Sequence, residues 1–101
     1  MYILIPVDGE NGLDSKITTL FEMKTWALVE FDAGKAKTIN FSVDRTAFDT
    51  EWVDFIILEN KFENYIEFMG EGIMCLVRRK EETVEELISA FASKELDEIG
   101  V

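Results

Sequence analysis

The sequence predicts an α/β fold in a single domain spanning residues 1–101, and three observations carry this prediction. Residues 25–32 are largely apolar, residues 36–43 alternate apolar with polar side chains, and the two segments flank a short turn, which is typical of an antiparallel hairpin. Two amphipathic stretches in the second half have the spacing of helices. Nearly continuous apolar runs, typical of strands buried on both faces, occupy residues 2–7, 53–58 and 72–77. Together they predict a three-layer sandwich around a mixed five-stranded sheet of order 3-2-1-4-5.

Composition excludes several classes of function. The net charge of −11 opposes binding to nucleic acid or to anionic membranes, and it leaves a basic protein as a reasonable partner. The chain has no histidine, so Ser-His and Cys-His nucleophile pairs are excluded and we expect no enzyme activity. No apolar run approaches the roughly 20 residues of a membrane span. The lone Cys75 fits a reducing compartment, so we expect a cytoplasmic protein.

The first strand, Tyr2–Val7, ends in a polar loop that begins at Asp8. In open α/β sheets, ligands bind beyond the carboxyl ends of such strands, so we expect the functional site in this loop. The second strand is predicted to point Ala27, Val29 and Phe31 to one face of the sheet. Trp26 and Leu28 then point to the other face.

The hairpin leads to a predicted edge strand at one side of the sheet. Gly34 is expected to adopt a positive φ in its turn, and the inward side chains are expected to be Ile39, Phe41 and Val43. The following segment, Asp44–Trp52, is polar and holds at most two helical turns, so the helix between the third and fourth strands is truncated. A truncated helix would leave Trp26, Leu28 and Trp52 partly bare, which predicts a homodimer that covers them.

Two helices are predicted in the second half of the chain. Asn60 is expected to begin the first and Gly70 to end it. Its core-facing stripe would be Phe62, Tyr65, Ile66 and Met69. Thr83 and Glu86 form a capping box at the start of the last helix, whose apolar stripe is Val84, Leu87, Ile88, Phe91 and Ala92. The tail, residues 95–101, is expected to fray.

Several short motifs resemble one known family. They are Ile5-Pro6-Val7-Asp8-Gly9, then Gly12-Leu13-Asp14-Ser15 with Ile17 and Phe21, then Ala27–Glu30, Gly72-Ile73 and Thr83–Leu87. This pattern resembles the dinitrogenase iron–molybdenum cofactor biosynthesis (cofactor-binding) domain family. The resemblance implies a ribonuclease H-like fold and an iron–molybdenum cofactor or iron–sulfur cluster. It also implies that the binding residues are Asp8, Gly9, Asp14, Ser15 and Phe21.

The chain departs from the family at two places. Members usually carry a His-Phe-Gly-Arg-like stretch before the second strand, where this chain has Leu20-Phe21-Glu22-Met23. The glycine-rich loop between the third and fourth strands is also missing. Because an anionic cluster needs thiolate or imidazole ligands and cationic donors, these departures bear directly on cofactor binding.

Three interpretations of function stay open from the sequence. The first is a non-catalytic cofactor carrier, with binding retained or lost. The second is a weak divalent-metal site, because Asp8 and Glu59 close two strands predicted to be parallel neighbours and carboxylates can hold Mg²⁺. The third is an acidic protein-interaction module that uses no cofactor.

Overall fold

The computed structural model describes residues 1–48, 50 and 52–99, and it confirms the α/β class. The strands are β1 (Tyr2–Val7), β2 (Thr25–Asp32), β3 (Lys35–Ser42), β4 (Phe55–Leu58), β5 (Met74–Val77) and β6 (Asp97–Glu98). The helices are α1 (Ile66–Gly70) and α2 (Val84–Ala92), with 3-10 turns at Gly12–Asp14 and Arg45–Ala47. In this part of the chain, no helix has the length and hydropathy needed to cross a membrane.

The sheet has six strands in the order β3-β2-β1-β4-β5-β6, so the prediction of five strands is wrong. The sixth strand lies in the tail that was expected to fray, where Asp97 and Glu98 pair antiparallel with Val77 and Leu76. The last two residues, 100 and 101, lie outside the described part. Strand β1 is antiparallel to β2 and parallel to β4, and β4 is parallel to β5. The carboxyl ends of β1, β4 and β5 therefore share one edge of the sheet, which we call the carboxyl edge.

One face of the sheet packs against α2. Val29 of β2 and Ile3 of β1 are fully buried there against Val84 and Leu87 of the helix. The predicted capping box is confirmed, because the Thr83 side chain accepts from the Glu86 amide and the Glu86 carboxylate accepts from the Thr83 amide. The apolar stripe of α2 differs from the prediction at its end, where Ala90 is buried and Ala92 is exposed.

Most of the other face is covered by the chain itself, which corrects the prediction of a bare face for Trp26 and Leu28, whereas Trp52 is 66% exposed. Trp26 and Leu28 are only 8% and 4% exposed, and Phe68 of α1 packs edge-on to Trp26 with 6.1 Å between ring centroids. The guanidinium of Arg45 lies 4.9 Å above the Phe68 ring and pairs with Glu71. This contact fastens the short segment after β3 onto α1, so no full helix is needed there.

Two further predictions about side-chain direction are wrong. Helix α1 begins only at Ile66, and Phe62 and Ile66 are 86% and 69% exposed rather than core-facing. The Asn60 side chain accepts the amide of Phe62 at 2.8 Å, which favours a local turn over a helix start. Val43 lies past the end of β3 and is 77% exposed instead of inward.

Candidate functional site

Three loops meet at the carboxyl edge: residues 8–24 after β1, 59–65 after β4 and 78–83 after β5. They hold six of the ten basic residues and eight of the 21 acidic residues, so they carry −2 of the net charge of −11. The basic residues are Lys16, Lys24, Lys61, Arg78, Arg79 and Lys80. This edge is therefore less acidic than the rest of the chain.

The first loop is folded by two of the predicted site residues. The Oδ1 atom of Asp8 accepts the amide of Lys16 at 2.9 Å, and the Asp8 amide donates to the Lys16 carbonyl at 2.9 Å. The hydroxyl of Ser15, whose side chain is fully buried, accepts the amide of Asn11 at 2.9 Å. Asp8 and Ser15 thus stabilise the loop through their own side chains.

The same loop is also fixed to the start of α2. The amide of Ile17 donates to the carbonyl of Glu82, and the amide of Val84 donates to the carbonyl of Ser15, each at 2.9 Å. A segment bonded on both sides to regular structure has little freedom to reshape around a ligand.

The other predicted binding residues lie on the surface of this loop. Phe21 is 97% exposed, Asp14 is exposed and Gly9 is half-buried. The structure thus separates the predicted set into residues that fold the loop and residues that face the solvent. The amide of Leu20 donates to Glu63 Oε2 at 2.8 Å, which joins this loop to the one after β4. Burial and the nearby charge of Glu59 raise the pKa of Glu63, although the Leu20 amide opposes the rise.

Arg78 pairs with the predicted metal ligand Glu59. Its Nη2 atom lies 2.6 Å from Glu59 Oε1, its Nε donates to the Glu59 carbonyl, and its Nη1 donates to the Glu81 carbonyl at 3.0 Å. The second carboxylate oxygen of Glu59 accepts from Asn60 Nδ2 at 3.0 Å. The Asn60 and Arg78 bonds lower the pKa of Glu59 against the effect of burial. Both oxygens of this carboxylate are already bonded within the chain.

Glu81 is a buried carboxylate that sequence reasoning missed. Its side chain is 6% exposed, and Oε1 accepts the amides of Arg79 at 2.9 Å and Lys80 at 3.2 Å. Burial raises the pKa of Glu81, but these amide bonds and the charge of Lys80 outweigh burial and lower it. The signal available in the sequence was an acid directly after a basic run and two residues before the capping box.

The donor set at this edge does not fit an iron–sulfur-type cluster, which takes thiolate or imidazole ligands. The one thiol, Cys75, is 2% exposed on the α1 face, and its Sγ lies 3.6 Å from the Ile73 carbonyl and 3.7 Å from that of Tyr65. Burial raises the pKa of this thiol, which disfavours the thiolate. Within the described residues, no three His, Cys, Asp or Glu side chains group to hold a metal ion.

Comparison with known proteins places the fold. No family model matches the sequence, and no curated protein matches it. A protein provisionally assigned as a dinitrogenase from Methanocaldococcus jannaschii superposes with a TM-score of 0.76 in its crystal structure, at 23% identity over 99% of this chain and 95% of that one. Its NMR structure gives a TM-score of 0.77 at 25% identity, over 100% and 94% of the two chains.

A provisionally assigned NifB protein from Thermotoga superposes with a TM-score of 0.71, at 18% identity over 99% of this chain and 94% of that one. The chain therefore has the fold of small proteins that have been assigned to nitrogenase-related roles. The likeness covers nearly the whole chain in each case.

Proposed function

We propose that this protein is a small, non-catalytic, cytoplasmic relative of the cofactor-binding family, with its ribonuclease H-like fold, that no longer holds an iron–molybdenum cofactor or iron–sulfur cluster. One observation carries the proposal: the predicted cofactor-binding residues Asp8 and Ser15 already accept hydrogen bonds from within the chain, as does the predicted Mg²⁺ ligand Glu59. A cluster bound through Asp8 Oδ1 or through the Ser15 hydroxyl would have to break these bonds, and a donor left unpaired away from water would cost about 1–3 kcal/mol.

In place of a cofactor, we infer that the carboxyl edge contacts another protein. Phe21 and Phe62 are almost fully exposed, and they lie on two loops joined by the Leu20–Glu63 hydrogen bond. Large exposed aromatic side chains are enriched where proteins bind one another. The net charge of −11 on the whole chain favours a partner with a basic surface, although the carboxyl edge itself carries only −2 of that charge.

Anaerobic purification from the native host, followed by metal analysis and an absorption spectrum, tests the loss of the cofactor. We expect a colourless protein with far less than one iron or molybdenum atom per chain. Stoichiometric metal with charge-transfer absorption would overturn the proposal, particularly if Asp8→Ala or Ser15→Ala removed the absorption while Asp32→Ala, at an exposed residue outside the three loops, did not.

The proposed contact with another protein is tested by affinity purification with the unchanged chain and with a Phe21→Ser, Phe62→Ser double variant. We expect at least one stoichiometric basic protein to bind the unchanged chain and to be lost with the double variant. A Trp52→Ser variant is the matched control, because Trp52 is 66% exposed but lies outside the three loops. Equal retention by all three forms would contradict a contact at this edge.

A cofactor carrier is the second candidate, and the charge distribution favours it. An anionic cluster would be repelled least at the carboxyl edge, because most of the basic residues lie there. Anaerobic reconstitution with iron and sulfide separates the two candidates. Incorporation that weakens when Lys61 and Lys80 are changed to glutamine would favour the carrier.

Two further predictions stay proposals. A weak Mg²⁺ site at Asp8 and Glu59 would compete with the Arg78 pair, so we expect no saturable heat on titration with Mg²⁺ unless Arg78 is replaced by methionine. For the homodimer, Trp26 and Leu28, two of the three residues that favoured it, are buried within one chain, whereas Trp52 is 66% exposed. Light scattering over a range of concentrations measures it directly.

A further inference from the structure

An apolar cavity of about 580 Å³ opens at the end of the sheet opposite the carboxyl edge. It lies between the starts of β4 and β5, the β2–β3 turn and the end of α2. Its apolar lining is Phe31, Phe55, Met74, Leu76, Phe91 and Leu96. The volume falls within the range of roughly 300–1,000 Å³ typical of small-molecule sites.

Three phenylalanine rings make one wall of this cavity rigid. The Phe91 ring lies edge-to-face against Phe31 at 5.1 Å and against Phe55 at 4.9 Å between centroids. Each ring comes from a different element of the core: β2, β4 and α2. Edge-to-face packing is a preferred arrangement of aromatic rings, so these contacts stabilise the wall of the cavity.

The mouth of the cavity carries one side-chain cation and one carboxylate, and it is also lined by Met1, whose N-terminal ammonium donates to the Phe31 carbonyl at 3.0 Å. Lys94 follows α2 with a φ of 58°, and its amide donates to the Phe91 carbonyl at 3.1 Å, which fixes the backbone that carries the ammonium group. Glu98 lies across the mouth on β6. Within the described residues, neither Lys94 nor Glu98 forms an ion pair with another side chain. Lys94 is therefore available to pair with an anionic group brought by a ligand.

We propose that this cavity binds a small amphipathic acid, with an aromatic or branched apolar body against the phenylalanine wall and an anionic head paired with Lys94. The apolar body gains by leaving water, and it covers apolar surface that the chain leaves exposed, including Met74 at 47% exposure. The head gains a charge-assisted hydrogen bond at the rim, while Glu98 repels it.

Fluorescence titration with anilinonaphthalene sulfonate tests the proposal, because this probe joins an aromatic body to an anionic head. We expect saturable binding of one probe per chain. Met74→Trp, which fills the cavity from its exposed side, should weaken binding about tenfold or more. Lys94→Gln should weaken it about threefold to tenfold and Glu98→Gln should strengthen it, whereas Lys24→Gln, at the carboxyl edge, should change nothing.

The neutral phenylnaphthylamine isolates the role of the head group. Its affinity should fall with Met74→Trp and stay constant with Lys94→Gln. Absence of saturable binding, or equal binding by the Met74→Trp variant with an unchanged near-ultraviolet circular dichroism spectrum, would overturn the proposal. So would probe binding that disappears as light scattering reports a dimer, because a second copy would then be the occupant.

Discussion

The two ends of the sheet differ in which side chains remain free to contact a ligand after the chain has folded. At the carboxyl edge, polar side chains are abundant, and the buried ones are bonded within the chain, as Glu81 and Ser15 show. At the opposite end, apolar side chains line a cavity of about 580 Å³ that faces solvent. The comparison teaches that polar loop residues do not by themselves make a ligand site. What matters is whether they keep bonding capacity after the loop has folded.

A cavity in the core that supports both ends of the sheet should have the largest effect on stability, because both ends depend on that core. Ile57 of β4 is fully buried beneath α2, so Ile57→Ala should lower the free energy of unfolding by about 2–5 kcal/mol. Urea denaturation measures this. Met74→Ala, on the neighbouring strand but half exposed, is the control and should cost about 1 kcal/mol or less. Equal costs for the two variants would show that the described core is incorrect.

Removal of the buried Glu81 carboxylate should destabilise the carboxyl edge and leave the opposite end of the sheet unaffected. Glu81→Ala leaves the amides of Arg79 and Lys80 without an acceptor, so we expect a loss of about 1–3 kcal/mol of unfolding free energy. Glu81→Gln should recover part of it, because an amide oxygen still accepts. The exposed Glu85→Ala should stay within about 0.5 kcal/mol. An Ala variant as stable as the unchanged chain would show that this turn does not need its carboxylate.

Acid should weaken the carboxyl edge before it affects the apolar end. The pKa values of Glu59 and Glu81 lie below the ordinary 4.5, so the folded state binds fewer protons than the unfolded state. Their stabilisation is complete above pH 4.5 and is lost as the pH falls through the lowered values. Glu63 has a raised pKa and acts with the opposite sign.

Unfolding free energy measured against pH checks these signs. Glu81→Gln should flatten the acid loss and Glu63→Gln should steepen it. The reverse pattern would contradict the hydrogen bonds assigned to these two carboxylates.

Replacement of the exposed aromatic residues should have the smallest effect on stability. Phe21 and Phe62 are 97% and 86% exposed, so changing either to serine should alter the unfolding free energy by no more than about 0.5 kcal/mol. Thermal unfolding measures this. A cost above about 2 kcal/mol would mean that these rings support the fold, and their loss could then not serve as a test of partner binding.

Local patterns in the sequence predicted much of the fold. The apolar runs of β1, β4 and β5, the β2–β3 hairpin and the Thr83–Glu86 capping box depend on neighbouring residues, and the structure confirms them. The errors arose where the structure depends on contacts between residues that are far apart in the sequence. Arg45 and Glu71 close the predicted bare face from 26 residues apart, and no local pattern marks that pair.

The position of the loop after β1 was predictable from the sequence, but the hydrogen bonds within it were not. The turn after β1 was located correctly, yet the partners of Asp8 and Ser15 depend on how residues 11–16 fold back. The apolar cavity gave no sequence signal at all, because its wall joins Phe31, Phe55 and Phe91 from three separate elements.

One titration tests the contrast between the two ends most directly. Anilinonaphthalene sulfonate is added to isotope-labelled protein, and the amide resonances are followed by NMR. The account predicts saturable shifts at Phe31, Phe55, Phe91 and Lys94, with the loops at residues 8–24 and 78–83 unchanged. Shifts confined to those loops would contradict it, because they would show that the carboxyl edge still accepts an anion and that the cavity does not.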